Sequence, residues 1–245
     1  MIPVSRDALS WDISFNGSIN HNKFESAAPG LVFSTSSSAT RVGYPLFSRW
    51  EKPILSFDDA NKNGIIEPSE VKVGDTAVYL GESLPPRQLT VSTGLSLLRE
   101  RLRVSSQFDY KGGHLGENFT EINRCLTAIA CRGANDPTAP LWEQARAVAA
   151  TLTTRTLAGY LEDASFVRWR ELSITYRFGS QRLPLIGSRP MTVSLSGRNL
   201  KLWSDYSSPD PEVNSSAGAL QLEGNSDNPT APQARLWILR LNVDW

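Results

Sequence analysis

The last eleven residues, Arg235 to Trp245, constrain the fold more than any other stretch. In an extended chain successive side chains point to opposite faces. Trp237, Leu239, Leu241, Val243 and Trp245 therefore share one face, and Arg240, Asn242 and Asp244 share the other. A soluble sandwich seldom ends its chain on an exposed tryptophan. A transmembrane barrel strand needs roughly 9–11 residues, apolar toward lipid and polar toward the lumen, with aromatic residues at the interfaces. This stretch meets each requirement, and everything upstream reads as more of the same wall or as loops hung from it.

The alternation recurs. Trp11, Ile13, Phe15 and Ile19 oppose Asp12, Ser14, Asn16 and Asn20. Leu89, Val91, Leu95 and Leu97 are followed, after a tight turn near Leu98-Arg99-Glu100, by Leu102, Val104, Phe108 and Tyr110. Arg101, Arg103, Ser105, Gln107 and Asp109 form the wet face of that hairpin. Leu172, Ile174, Tyr176 and Phe178 oppose Glu171, Ser173, Thr175 and Arg177; Met191, Val193 and Leu195 oppose Thr192, Ser194 and Ser196. A less regular strand, broken by Pro45 and Pro53, is expected over Tyr44 to Phe57. The alanine-rich run Pro140 to Ala150 predicts a short helix with proline at its first turn.

The predicted fold is all-β: an antiparallel transmembrane β-barrel segment of about seven strands, with long extracellular loops and one short helix in a loop. Placing the last strand's end in the periplasm puts the loops at 58–86, 113–162 and 201–234 outside, and the connections at 98–100 and 179–188 inside. Short inner turns and long outer loops are the barrel pattern. Only the serine-rich 24–43 connection is too long for it.

Composition excludes several classes. The chain carries 25 basic and 25 acidic side chains, so no overall field draws it to nucleic acid. No run of about 18 apolar residues exists to form a membrane-crossing helix, which says nothing against strands. His21 and His114 lie far apart, with no ligand at metal spacing. No nucleophile elbow, histidine dyad or phosphate-cradling glycine loop is present, so no enzyme is expected. Met1-Ile-Pro-Val-Ser-Arg has no apolar signal core, which reads as a fragment or a late start.

Three groups of candidate site residues remain. Asp59, Asn61, Asn63, Glu67 and Glu70 place side-chain oxygens at positions 1, 3, 5, 9 and 12 of a twelve-residue calcium loop. Gly64 stands at position 6, and Ile65 offers its carbonyl at position 7. The flanks are not those of an EF-hand, so the expectation is one structural calcium ion pinning a loop, against a plain Asx-rich turn. Cys125 and Cys131 are expected to form a disulfide in an oxidising compartment. Trp203 and Tyr206 are the aromatic pair placed for ligand contact, while Trp169, Trp237 and Trp245 read as interface anchors.

Ser165-Phe-Val-Arg-Trp-Arg-Glu-Leu-Ser-Ile-Thr-Tyr176, Gly197-Arg-Asn-Leu-Lys-Leu-Trp203 and Asp210-Pro-Glu-Val-Asn214 resemble motifs at the C-terminal end of SusC/RagA-type TonB-dependent receptors. Gly43-Tyr-Pro-Leu46 and the Asp59–Ile66 segment resemble upstream landmarks of that family. The resemblance implies that residues 1–245 are about a third of a roughly 22-stranded barrel. It implies a signal peptide, plug domain and TonB-contacting segment elsewhere, and a location in the bacterial outer membrane. It further implies contact with lipid and with the rest of the barrel, a SusD-like surface lipoprotein as partner, and import of a glycan- or peptide-type nutrient. The rival is a soluble calcium-dependent β-rich binding domain of a secreted protein.

Overall fold

A computed structural model describes residues 4–6, 8–26, 28, 33–34, 38–179, 190–213, 226–227 and 231–243. Trp245, Asp244 and most of the 179–188 connection lie outside those residues. The described chain divides into a wall and a loop layer.

The wall is one antiparallel seven-stranded sheet. In spatial order its strands are Val4–Arg6, Leu9–Ile19, Arg87–Leu97, Leu102–Gly112, Phe166–Phe178, Met191–Ser204 and Leu236–Val243. The last six run 8 to 14 residues, and the first is a three-residue stub paired through Val4 and Trp11. Leu98, Arg99 and Glu100, at φ 54°, 54° and 64°, close the central hairpin.

Register turns each strand's alternation into rows across the sheet. Trp11, Leu95, Val104, Ile174, Leu195 and Leu239 are successive partners, and so are Leu9, Leu97, Leu102, Tyr176, Val193 and Leu241. Between these rows, on the other face, runs Ser10, Ser96, Arg103, Thr175, Ser194 and Arg240. Because the side-chain period is two, a slip of one residue would exchange the faces of a whole strand, so the rows fix the register. Phe15, Leu239 and Leu241 are 65%, 72% and 61% exposed. A β-bulge at Arg170 shifts the pairing between Gln107 and Phe108, after which Phe108 stacks on Trp169 with centroids 5.7 Å apart.

Two expectations change. Tyr44–Phe57 is not a wall strand, because the Leu9–Ile19 strand pairs directly with Arg87–Leu97. Ser48–Glu51 instead pairs with Val78–Gly81, and Ile54–Phe57 with Val71–Val73. Ser48, Arg49, Trp50 and Glu51 are all buried, so this piece has no wet face to turn to a lumen. Residues 20–86 are thus one excursion from one end of the wall, and the 24–43 connection ceases to be an exception. The loop layer also holds three α-helices rather than one: α1 (Phe119–Leu126), α2 (Arg132–Asn135) and α3 (Leu141–Ala149). The polar sequence of α1 hides its amphipathicity, for only Ile122 and Cys125 are buried. Its first turn is capped by Asn118, whose side chain accepts the Glu121 N–H at 2.9 Å.

Small residues let the layer pack. Ala145, Ala147 and Ala149 on α3 are buried, and a Cβ on Gly133 of α2 would stand 2.2 Å from the Glu143 carbonyl oxygen. One apolar cluster joins Ile122, Cys125, Cys131, Ala147, Ala150, Leu157 and Tyr160. A second joins Ile66, Val71, Ala145 and Ala149, tying the helices to the Asp59–Glu70 loop.

Candidate functional site

The Asp59–Glu70 loop owes its shape to its own side chains. Asp59 accepts the Asn63 N–H at 3.0 Å and the Gly64 N–H at 2.8 Å; Asn63 accepts the Ile65 N–H at 2.7 Å. Gly64 sits at φ 80°, where a side chain would be strained, and Lys62 at φ 58°. This first half curls with its oxygens gathered, as a calcium loop needs. The second half is turned differently. Glu70 accepts the Ala60 and Glu67 N–H groups, both at 2.9 Å, as part of a capping box around the 3₁₀ turn Pro68–Glu70. Among the described residues, Asp59, Glu67 and Glu70 do not form a group with carboxylate oxygens within 4.8 Å of one another. The donor chemistry fits the ion, and Glu67 and Glu70 would have to leave their backbone partners to complete the shell. Gln144 of α3 fastens the loop, accepting from Ile66 N at 2.9 Å and donating to Gly64 O at 3.0 Å.

Cys125 and Cys131 are joined as a disulfide in the structure. With Glu121 they form the one group of three metal-type side chains among the described residues. Both sulfurs are committed to each other, so it is no metal site.

The densest polar cluster was not anticipated from the sequence. Arg168, beside the bulge, is buried and paired with buried Asp210, and its Nε lies 3.2 Å from Glu212. Bulged Arg170 bonds both Asp109, at 2.6 Å, and Glu212; Lys111 bonds Glu212 at 3.0 Å. Gln233 N–H donates to Asp210 at 3.4 Å and Gln233 Nε2 to Glu212 at 3.3 Å. Arg168 and Arg170, two residues apart, reach to the same side beside the bulge, where they gather both ends of the last loop. Burial alone would raise the Glu212 pKa, but the bonds from Arg170 and Lys111 outweigh it and hold the carboxyl below its ordinary range. The only hint in the sequence was that both motifs are unusually charged for their positions.

A second anchor holds the same loop. Asp227 accepts the Phe119 N–H at 2.6 Å and the Thr120 N–H at 3.3 Å, at the N-terminus of α1. Burial nevertheless raises its pKa. Burial likewise raises the Tyr206 phenol, with the Asp227 and Glu162 charges adding to it. Tyr206 is only 7% exposed and packs on Gly116, so it is no surface partner for Trp203. Trp203 is exposed, with the Lys201 ammonium 5.1 Å from its ring centre. Charges on the wet face of the wall are paired: Arg103 with Asp12 at 2.8 Å, Glu171 with Arg198 at 3.1 Å. Another aromatic group, Tyr44, Trp50 and Tyr79, has centroids 4.7 to 5.7 Å apart and the Arg41 guanidinium 4.0 Å above Trp50.

No family model matches the chain. It is 28% identical over 198 residues to TonB-dependent receptor P26 of Formosa agariphila, a match covering 76% of this chain and 19% of that protein. Its fold is similar to the solved RagAB peptide transporter, with TM-score 0.70 and 17% identity over 99% of this chain and 28% of that one. The RagAB peptide importer in its open-open state gives TM-score 0.67 at the same identity. The chain is thus similar in sequence to part of a TonB-dependent receptor, and similar in fold to part of the RagAB transporter. It spans about a fifth of the curated relative's length. Apolar rows on one face of the wall and wet rows on the other are the pattern that a strand wall between lipid and a lumen requires. The proteins it matches are named as a receptor and as a peptide transporter.

Proposed function

We propose that this chain is the C-terminal part of the barrel of a SusC/RagA-type TonB-dependent receptor, and that the whole receptor imports a glycan- or peptide-type nutrient across the outer membrane. In this reading a plug domain fills the lumen, TonB reaches that plug, and a SusD-like lipoprotein covers the outer loops. The observation that carries it is the pair of apolar rows crossing six strands without a charge. A soluble calcium-dependent domain would leave those rows in water, where a patch of this extent invites association. The part played by this chain is structural: it supplies lipid-facing wall, a wet lumen face and a rigid loop layer at one end. No catalytic step is assigned to it. The test is growth of a strain lacking the receptor gene on separate glycan and peptide sources, with and without a functional TonB. Loss of growth on one source, reproduced by loss of TonB, supports the reading; unimpaired growth on every source overturns it.

Calcium belongs to the same proposal as a structural ion. Asp59, Asn61, Asn63, the Ile65 carbonyl, Glu67 and Glu70 would hold it, with extracellular-grade affinity of roughly 10⁻⁴–10⁻³ M. The pre-curled first half of the loop supports this. In the intact receptor, calcium is expected to protect residues 58–70 from protease, and Glu70→Gln to abolish that protection. Equal cleavage in calcium and in chelator would leave only an Asx-rich turn.

A further inference from the structure

The calcium-type loop and the disulfide loop, distant in sequence, face each other across one half-open cavity of about 440 Å³. Ile65, Ile66, Leu126, Ile129, Pro137 and Val148 line it, and so does Cys125 of the disulfide. The volume falls in the lower part of the range of small-ligand pockets, roughly 300–1,000 Å³.

The lining decides what it can take. It contains no lysine, arginine or histidine, so nothing there neutralises an anion. It contains no aromatic ring on which a sugar face could stack. Its polar groups are almost all in use. Gln144 accepts from Ile66 N and donates to Gly64 O and Ala139 O. Asp136 accepts from the Thr138 N–H and hydroxyl and from Arg132 Nε. Asn135 Nδ2 donates to Ile129 O at 2.5 Å and Cys131 O at 3.2 Å. The Thr151 hydroxyl donates to Val148 O at 2.8 Å and keeps room to accept, and no bond to the Asn135 amide oxygen is seen among the described residues. An aliphatic cavity with two acceptors for N–H groups matches an apolar amino-acid side chain with its main-chain amides. A hydroxyl-rich sugar entering it would lose its water bonds and find almost no replacements.

The rim reinforces this. Ile129 is a β-branched residue at φ 49°, a conformation such residues rarely adopt and one that costs energy to hold. It is 65% exposed, and across the cavity Ile65 is 46% exposed. The disulfide and the Asn135 bond to its carbonyl hold Ile129 there, so strain is spent on presenting an apolar lip. We propose that this cavity is a subsite for an apolar side chain, leucine- or phenylalanine-like, of a peptide that the receptor takes up. The proposal rests on the import reading and narrows its substrate to a peptide.

The test uses the intact receptor in detergent and three probes, N-acetyl-Gly-X-Gly-amide with X as glycine, leucine or phenylalanine, titrated calorimetrically. Leucine and phenylalanine probes should bind about tenfold or more tighter than the glycine probe. Ala134→Trp fills the cavity from an exposed lining position, and should erase the preference without lowering the melting temperature. Ile129→Asn, which tolerates the left-handed backbone but removes the lip, should weaken the preference and leave the receptor no less stable. Equal binding of all three probes, or a preference that survives Ala134→Trp in folded receptor, overturns the proposal. A preference that arises only with the lipoprotein partner present also overturns it, since the cavity would then be a protein–protein contact. A receptor that still needs TonB to import its nutrient but shows no side-chain preference keeps the import reading and loses the cavity.

Discussion

The wall and the loop layer solve opposite solvent problems with one chain. In the wall, Trp11, Leu195 and Leu239 lie on one face and serine, threonine and arginine on the other. In the loop layer Ile66, Ile122, Tyr160 and the alanines of α3 are inside, and charge lies around them. The wall relies on register, with the backbone groups of its inner strands satisfied by the strands on either side. The layer relies on clusters each too small to hold long loops unaided, and adds a disulfide, a capped helix and a fastened Asx-rich loop. The Arg168–Asp210 pair is where the two meet, with the arginine on the wall and the carboxylate on the last loop. Damage in one region should therefore remain in that region unless it touches this pair or the Arg170 and Lys111 bonds to Glu212 beside it.

The largest effect is expected at that junction. Arg168→Met leaves Asp210 buried without its cation, which costs roughly 3–5 kcal/mol and should loosen both the last loop and the outer end of the wall. Urea unfolding of the receptor in detergent, with proteolysis of the 205–233 loop alongside, would show whether the two regions fail together. Next, Leu195→Arg puts a charge in the lipid-facing row and should cost about 2–4 kcal/mol if that row lies near mid-membrane. Its neighbour Ser194→Arg, on the wet face, should cost under about 1 kcal/mol. Equal penalties would erase the distinction between the faces.

Removing the disulfide by Cys125→Ser with Cys131→Ser should destabilise the layer by about 2–3 kcal/mol in the chain-entropy view. Hydrogen exchange should quicken over 119–135 and not in the wall strands. The smallest effect concerns pH. Burial lowers the His114 pKa to about 4 from an ordinary 6.5. The folded layer therefore takes up that proton less readily than the unfolded chain. Its stability is fully present above pH 6.5 and declines as pH falls toward about 4. Loop-layer exchange should quicken between pH 7 and 5, and His114→Asn should flatten that response while leaving the wall unchanged.

Most of the wall was legible because a period of two is a local signal, readable strand by strand from Trp11 to Val243. The layer was less so. Ser48–Glu51 is buried on both faces, and periodicity says nothing about such a strand. Helix α1 is brief and mostly polar, and its cap includes Asp227, 108 residues away from Phe119. The oxygen spacing of the Asp59–Glu70 loop was legible, but not that Glu70 would bond Ala60 and Glu67. Nor could spacing show Tyr206 turned inward, or the bulge at Arg170 that brings Arg168 and Arg170 onto Asp210 and Glu212. Pairings that depend on how distant loops fold back leave no local trace.

The central claim is that the rows of the wall face two different media. It is tested by single cysteines placed in turn at Ser194, Leu195, Ser196, Arg240 and Leu241 of the intact receptor in outer membranes lacking the native pair. Each is challenged with a membrane-impermeant maleimide and, separately, with a lipid-soluble one. The account predicts strict alternation, with 194, 196 and 240 taking the aqueous reagent and 195 and 241 only the lipid-soluble one. Uniform aqueous labelling at all five positions would contradict it.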